Sequence, residues 1–402
     1  MAELHLLSPK GFQAAGVYAG LKSKPINDVG LVVSDKLATA AAVFTTNKVF
    51  AAPVKIGRLH IAGGKLRGVV VNSGNANACT GKRGELDAVN MCKLAGEHIG
   101  ADPHTILPSS TGIIGRPLPM DRVASGIIAA QRQLGNSAEH AAAFGDAIMT
   151  TDLRRKSASS EFKIGRKKIV LAGVCKGSGM IGPRLALPHA TMLAYLTTDA
   201  QISPAILRKL LQQAADVSFN NVTVDDQAST NDTCCIMASG ASGVKVASAA
   251  EVKSFAAALV EICQALAYQI AADGEGATKV IEVIVRNATS AAAAKAIARS
   301  IANSPLVKCA VNGNDPNWGR VLCAAGMAGV AFDPEKAKLL LQGTAVFEKG
   351  GPARFDAAAV SLAMRAEKVV LDLNCGLGKA IATCWTCDLS KEYVTINADY
   401  HT

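Results

Sequence analysis

The pattern of apolar and polar positions divides the first 280 residues into short strands followed by amphipathic helices. Apolar runs of strand length, rich in β-branched residues and bounded by turn residues, predict a sheet near the start of the chain. These runs are 29–35, 40–47, 52–57 and 68–73, and two more short strands are predicted in 162–174. Apolar residues at helical spacing predict helices at 85–99, 121–130, 138–147, 204–217 and 251–272.

Beyond residue 280 the pattern alternates between strands and helices. A strand at 280–285, a helix at 290–302 and a strand at 306–311 form a βαβ order, which favours parallel pairing. Helices at 317–327 and 357–365 and strands at 338–341 and 368–373 follow, and 381–385 and 393–396 are predicted to return to the main sheet. The chain is thus predicted to be α/β: a layered sheet-and-helix main domain (1–280), a smaller βαβ-containing C-terminal lobe (281–378), and a segment (379–402) that returns to the main domain and its site.

The charge of the chain does not indicate a nucleic-acid partner. The formal net charge is +10, but the 42 Lys and Arg residues are scattered along the sequence. Aromatic residues make up 4% of the chain and are not interleaved with the basic ones as stacking platforms. We expect instead a solvated basic surface that attracts small substrates bearing carboxylates or phosphates.

The cysteines and the apolar runs bear on the location of the protein. Eleven cysteines lie in apolar segments, which predicts buried free thiols in a reducing compartment. The Cys384–Cys387 pair has CxxC spacing, but without a second such pair and in a strand-like context it predicts neither a metal site nor a redox centre. The N-terminus lacks a targeting pattern, and no charge-free apolar run approaches about 18 residues. We therefore expect a cytoplasmic protein without a membrane partner.

The stretch from Cys175 to Ala200 carries the strongest candidate chemistry. A glycine-rich loop precedes an apolar run that opens at Thr191. A threonine hydroxyl needs a base to become a nucleophile, and cleavage of the Ala190–Thr191 bond would supply one, since a free α-amino group titrates near pH ~8. The alternative is that Thr191 simply caps a helix or begins a strand.

The motifs around this stretch resemble one enzyme family. K-G-S-G-M-I-G-P, followed by A-T-M-L and T-T-D-A, is similar to the self-cleavage site of the ornithine acetyltransferases, the bifunctional glutamate N-acetyltransferases of arginine biosynthesis. The likeness extends along nearly the whole chain. It includes G-F-Q-A-A-G-V-Y-A-G at Gly11, V-N-S-G-N-A-N-A-C-T-G at Val71, S-S-T-G-I-I-G at Ser109, M-T-T-D at Met149, S-T-N-D-T at Ser229, D-G-E-G-A-T-K at Asp273, N-W-G-R at Asn317 and I-N-A-D-Y-H-T at Ile396.

The resemblance implies an active site of the N-terminal-nucleophile type. Self-cleavage between Ala190 and Thr191 would give an alpha chain (1–190) and a beta chain from 191, with Thr191 as nucleophile. Thr111 and Gly112 would form the oxyanion hole. Substrate contacts would come from Thr150, Lys176, Thr191, Glu275, Asn397 and Thr402.

Each of these residues also has an ordinary structural interpretation. The Thr111 turn suits a helix start, and Thr150 suits a cap or a turn. Lys176 and Glu275 suit solvated surface charges, and a terminal residue such as Thr402 usually frays. The amides of Asn72, Asn75 and Asn77 either hold backbone turns or line a polar pocket.

The implied reaction moves the acetyl group from N2-acetylornithine to glutamate in a ping-pong cycle through acetyl-Thr191. No metal or cofactor is expected, although acetyl-CoA is a further candidate substrate, and two alpha and two beta chains would form a heterotetramer. One departure from the family pattern is an inserted Leu187–Ala190 before the cleavage point, where added slack would slow cleavage. Two alternatives stay open: an amidase or aminopeptidase with the same nucleophile, and an uncleaved, non-catalytic relative.

Overall fold

The larger of two main sheets contains eight strands. The structure, a computed structural model, describes residues 3–182 and 192–399. The strands of the first part of the chain are β1 (Phe12–Val17), β2 (Val29–Phe44), β3 (Lys65–Asn75), β4 (Ile106–Ile113), β5 (Lys156–Ile164), β6 (Lys167–Lys176), β7 (Leu193–Thr198), β8 (Gln201–Ile202), β9 (Thr233–Ala238) and β10 (Lys245–Val246). The order is β4-β3-β2-β9-β7-β6-β5, with β1 also paired to β2, while β8 and β10 form a separate two-stranded pair. The β3–β4 and β7–β9 pairs are parallel and the other pairs of this sheet are antiparallel.

Strand β7 shows why this sheet is covered on both faces. All six of its residues are buried. Because side chains alternate along a strand, Ala194 and Leu196 pack into the core on one face and Leu193 and Tyr195 into the core on the other. Met192, which directly precedes this strand, is buried as well and lines the candidate site.

The helices form layers on this sheet. They are α1 (Ala52–His60), α2 (Gly81–Ile99), α3 (Met120–Arg132), α4 (Ala138–Ile148), α5 (Pro204–Asp216), α6 (Ala249–Ala272), α7 (Ala291–Asn303), α8 (Pro305–Asn312), α9 (Trp318–Gly326), α10 (Ala357–Ala363) and α11 (Lys391–Asp399). Helices α5 and α6 share a core with one face of β6, β7 and β9, and α4 contributes Phe144 to the opposite core. The layered α/β architecture predicted from the sequence is confirmed.

Helix α6 is the one helix of the described residues with the length and composition of a membrane span. Ser248 caps it by accepting from the Glu251 N–H, and the Glu251 carboxylate accepts from the Ser248 N–H in return. The predicted apolar stripe, which includes Leu259, Ile262 and Leu266, is buried in the core beside the larger sheet. Burial in this core accounts for the apolar character of the helix.

The second main sheet contains six strands from the last third of the chain. They are β11 (Val280–Ala288), β12 (Lys338–Leu341), β13 (Thr344–Glu348), β14 (Gly351–Pro352), β15 (Lys368–Asn374) and β16 (Ala380–Cys387), in the order β14-β13-β12-β15-β11-β16. Helix α7 packs on β11 and β16, and α9 packs on α7. Strands β11 and β15 are parallel.

Strand β16 joins the two cores. Cys384 is buried in the core of the second sheet, whereas Cys387 is buried in the core of the larger one. Both thiols are free, and burial raises their pKa to about 12 and about 11. The interpretation of this CxxC pair as buried thiols on opposite strand faces is confirmed.

Four sequence predictions are wrong, and prolines explain two of them. Residues 52–57 form the start of α1 instead of a strand, with Pro53 in the first helical turn, where its missing N–H is not needed. Residues 306–311 form α8 instead of a strand. Ser304 caps α8 by accepting from the Val307 N–H at 3.4 Å, and Pro305 occupies its first turn. The predicted βαβ unit therefore lacks its second strand, and the parallel partner of β11 is β15.

The other two errors concern the C-terminal segment. Residues 393–396 lie in α11 instead of a strand. Residues 381–385 form a strand as predicted, but β16 pairs with β11 of the second sheet instead of joining the larger one. It contacts the larger core through the Trp385 side chain and through the Trp385 carbonyl, which accepts from the Thr223 N–H at 2.9 Å. The domain boundaries at 280 and 378 stay a prediction.

Candidate active site

A cavity of about 440 Å³ lies where β3, β4, β6 and β7 end or begin. Its size suits a small molecule such as an amino acid. The residues that line it come from distant parts of the chain: Ala76, Thr111, Gly112, Ile114, Thr150, Thr151, Lys176, Gly179, Met180, Ile181, Met192, Leu193, Ser229, Thr230, Asn231, Asp232, Glu275 and Asn397. Six residues predicted for the site from the sequence therefore meet at one cavity: Thr111, Gly112, Thr150, Lys176, Glu275 and Asn397.

Thr111 and Gly112 lie at the end of β4, against the end of the parallel strand β3. Gly112 adopts a φ of +130°, and a Cβ there would lie 2.4 Å from the carbonyl carbon of Gly74. Only glycine fits this close approach of two backbones. Thr111 is 8% exposed. A hydroxyl and a backbone N–H beside a cavity are suitable donors for an oxyanion.

The three asparagines after β3 hold backbone turns. Asn72 donates to the Asn75 carbonyl at 2.9 Å, and Asn75 donates to the carbonyls of Arg116 and Pro117. Asn77, in a left-handed conformation, donates to the Gly84 carbonyl at 2.8 Å. None of the three is among the residues that line this cavity. These amides therefore hold backbone turns instead of lining the polar pocket.

Lys176 is the last residue of β6 and opens the glycine loop. The next residue, Gly177, donates its N–H to Asp152 Oδ1 at 2.7 Å. Further along the loop, a Cβ on Gly179 would lie 2.2 Å from Glu275 Oε2, so the loop runs directly against the Glu275 carboxylate. The glycines thus bring the loop backbone close to a second charged residue of the cavity.

Glu275 and Asn397 are joined by a hydrogen bond. Asn397 Nδ2 donates to Glu275 Oε2 at 2.9 Å and to the Tyr393 carbonyl at 2.9 Å. Glu275 is 9% exposed and follows the end of α6. The cavity therefore presents a carboxylate near one wall and the Lys176 ammonium at the end of β6, which suits a substrate with charges of both signs.

Asp232 contacts Met192, the first residue of the described range 192–399. Its Oδ1 accepts a hydrogen bond from the Met192 N–H, and the Met192 carbonyl accepts from the Thr233 N–H at 2.5 Å. Burial raises the pKa of Asp232 well above its usual range, although the Met192 N–H and the Lys176 ammonium oppose this rise. A buried carboxyl group that accepts the Met192 N–H is suited to proton transfer chemistry.

Met192 is held in an uncommon backbone conformation. Its φ is +125°, a region that non-glycine residues rarely adopt, and its side chain is buried. Such a conformation costs about 1–3 kcal/mol and persists only when neighbours hold it. Asp232 and Thr233 supply those contacts, so strain is stored one residue after the predicted cleavage point.

Several lining residues were not predicted from the sequence. The motif at Ser229 contributes to the family resemblance but predicts no role for Ser229 to Asp232, although four polar residues directly before the fully buried β9 indicate a polar site. Other predicted residues lie outside the described part of the chain: Ala190, Thr191, Thr402 and the insertion Leu187–Ala190. Within the described ranges no group of three or more His, Cys, Asp or Glu residues could hold a metal ion.

Comparisons with known proteins find a matching family model, similar relatives and similar solved structures. The family model for ArgJ matches residues 13–402. An arginine biosynthesis bifunctional protein ArgJ from Bacillus cereus is 44% identical over 99% of this chain and 97% of its own length. The ArgJ protein of Symbiobacterium thermophilum is 45% identical over 98% of each chain. The solved structure of ornithine acetyltransferase from Mycobacterium tuberculosis in complex with ornithine is 32% identical, with a TM-score of 0.41, and covers 45% of this chain and 96% of that chain.

Proposed function

This chain belongs to the ArgJ family of arginine biosynthesis, and on that basis we propose that it transfers the acetyl group of N2-acetylornithine to glutamate through Thr191. One observation carries the assignment of the site. Six predicted residues from five separate segments line a single cavity, and Met192, next to Thr191 in the sequence, lines it too. The comparisons lend no support to an amidase or to a non-catalytic relative.

In the first half of the reaction the Thr191 hydroxyl attacks the acetyl carbonyl carbon, and the α-amino group freed by self-cleavage takes the hydroxyl proton. The oxyanion of the tetrahedral intermediate accepts hydrogen bonds from the Thr111 hydroxyl and the Gly112 N–H. The carbon–nitrogen bond then breaks, the proton moves to the departing amine, and ornithine leaves an acetyl ester on Thr191.

In the second half the α-amine of glutamate attacks this ester. The oxyanion forms in the same place, the Thr191 oxygen regains its proton, and N-acetylglutamate leaves. Lys176 binds the substrate carboxylate, Glu275 with Asn397 binds an ammonium group, and Thr150 and Thr402 complete the contacts. Acyl transfer through a hydroxyl needs no resident cofactor, and acetyl-CoA would enter only as an alternative acetyl donor.

The assembly and location are further parts of the proposal. We propose cleavage into chains 1–190 and 191–402 and a heterotetramer with two copies of each. We expect a soluble enzyme in the cytoplasm, with no nucleic-acid or membrane partner. Mass determination of the native protein, combined with denaturing gels, would measure both cleavage and assembly.

The reaction is tested with labelled substrate. The purified protein is incubated with N2-acetylornithine carrying a labelled acetyl group, with and without glutamate. We expect labelled N-acetylglutamate only when glutamate is present, with release of one ornithine for each acetyl group transferred. Labelled acetate released at the same rate without glutamate would instead indicate a hydrolase, and an intact chain without turnover would indicate a non-catalytic relative.

Substitution of Thr111 by alanine tests the oxyanion hole. Loss of one donor should lower kcat by about 100-fold with little change in KM, because the donor acts mainly in the transition state. Thermal unfolding should change little. Thr105→Ala, which alters the same residue type just before the other end of β4, is the matched control, and an unchanged kcat in Thr111→Ala would exclude the role.

A further inference from the structure

Three buried charged side chains lie behind the cavity, none of which lines it. The side chains of Asp152, Lys156 and Asp273 are at most 1% exposed. Lys156 Nζ lies 2.6 Å from Asp152 Oδ1 and 2.5 Å from Asp273 Oδ2. We call these three residues the buried ion cluster.

The buried ion cluster is also bonded to the backbone of the loops around it. Asp152 accepts the N–H of Thr150 at 3.0 Å and the N–H of Gly177 at 2.7 Å. Asp273 Oδ2 accepts the N–H of Leu153 at 3.0 Å. Charged groups that accept several N–H bonds stay in one place, because moving them would leave buried charges unpaired.

These bonds join the loops that carry the substrate-binding residues. Thr150 lines the cavity and is bonded directly to Asp152, whereas Lys176 precedes Gly177 in sequence. The loop of Glu275 is bonded to the same region, because Ser178 Oγ donates to the Asp273 carbonyl at 2.6 Å and the Glu275 N–H donates to the Ser178 carbonyl at 3.1 Å. The backbone next to Lys176 and the backbone of Glu275 therefore share one anchor.

The charges of the cluster fit this role. Burial opposes ionisation of Asp152, but Lys176 and Lys156 stabilise its charge and bring its pKa to about 2. Asp152 therefore stays ionised across the neutral range. The Asp152 carboxylate is attracted to the Lys176 ammonium on the substrate side, which ties the cluster electrostatically to a residue of the cavity.

We propose that the buried ion cluster sets the separation between Lys176 and Glu275 and so selects the length of the amino-acid substrate. The inference depends on the proposed function, since it requires Lys176 to bind the carboxylate and Glu275 the ammonium. Asp152, Lys156 and Asp273 are positioning residues, because they act through the loops and do not touch the substrate. A fixed distance between Lys176 and Glu275 favours a substrate side chain of one length. When that distance can vary, side chains one methylene shorter or longer are accepted as well.

The test compares three acetyl donors that differ by one methylene: N2-acetyl-2,4-diaminobutyrate, N2-acetylornithine and N2-acetyllysine. In the unaltered enzyme kcat/KM for N2-acetylornithine should exceed that for either neighbour by ~10-fold or more, the usual discrimination for one methylene. Asp273→Asn, which keeps the shape but removes the charge, should reduce this ratio to about 1–3. The ratio does not depend on the amount of active enzyme. It can therefore be measured even for a variant of which only a part folds or matures.

A second variant and a control complete the design. Ser178→Ala removes the hydrogen bond to the Asp273 carbonyl without changing charge and should lower the ratio in the same direction by ~3-fold. Arg154→Gln is the control, because this exposed side chain lies 3.8 Å from Asp273 Oδ1 and should leave the ratio unchanged. Ratios that stay within twofold in both Asp273→Asn and Ser178→Ala, or an unaltered enzyme that does not discriminate among the three donors, would overturn the inference. An unaltered enzyme that transfers no acetyl group from any donor would instead contradict the proposed function.

Discussion

Replacement of Thr191 by alanine should leave the protein as one uncleaved chain that carries no acetyl group and transfers none. Without the hydroxyl there is no nucleophile for self-cleavage, and without cleavage there is no free α-amino group to act as base. We expect kcat to fall by at least about 10⁴-fold, as is typical when a nucleophile is removed. Intact-mass spectrometry before and after exposure to N2-acetylornithine measures both effects.

The matched variant is Thr191→Ser, which keeps a hydroxyl and should retain part of both cleavage and transfer. The same measurement decides the effect of the inserted Leu187–Ala190. Fragments 1–190 and 191–402 in the unaltered protein would mean that the insertion is tolerated, whereas one intact chain would mean that the added slack prevents cleavage. A second fragment that begins at another residue, or acetyl transfer by Thr191→Ala, would contradict the proposed mechanism.

Replacement of Lys176 by methionine should have the second largest effect. The ammonium is the cationic group that lines the described cavity, and a substrate carboxylate bound there without it would lose a charge-assisted hydrogen bond. The loss of about 1.5–3 kcal/mol corresponds to roughly a 10- to 150-fold fall in kcat/KM. We expect most of this in KM, for N2-acetylornithine and for glutamate alike, because both carry the carboxylate.

Lys168→Met is the control for Lys176→Met. Lys168 lies on the same hairpin, but its side chain is 62% exposed and pairs with Glu161. Steady-state kinetics with both substrates, together with a cleavage gel for each variant, separates binding from maturation. A fully cleaved Lys176→Met protein with unchanged KM values would show that another group binds the carboxylate.

Much of the candidate site could be predicted from the sequence because its residues lie in short, specific motifs. The motifs predict Thr111, Lys176 and Glu275 for the site, and all three line the cavity. Asp232 was not assigned, since a carboxylate in a polar loop gives no sign of its burial. Its contact with Met192 arises only because β7 and β9 are parallel neighbours, although 34 residues separate them along the chain.

The errors in the predicted fold have a similar cause. A short apolar run such as 306–311 suits either a strand or a buried helix by pattern alone, and here Pro305 and the Ser304 cap decide for the helix. Strand β16 was located correctly but assigned to the wrong sheet, since the alternation along a strand does not identify its neighbour.

The sequence by itself determined the family, the α/β layering, the long amphipathic helices and half of the polar residues that line the cavity. These features depend on local periodicity and on motifs that are complete within a few residues. Only the tertiary structure decided which strands pair, where Asp232 lies, and that Asp152, Lys156 and Asp273 form one buried anchor. Those arrangements depend on contacts between distant segments, such as Leu153 with Asp273 and Thr39 with Ala238 in the β2–β9 pair, and local pattern carries no information about such contacts.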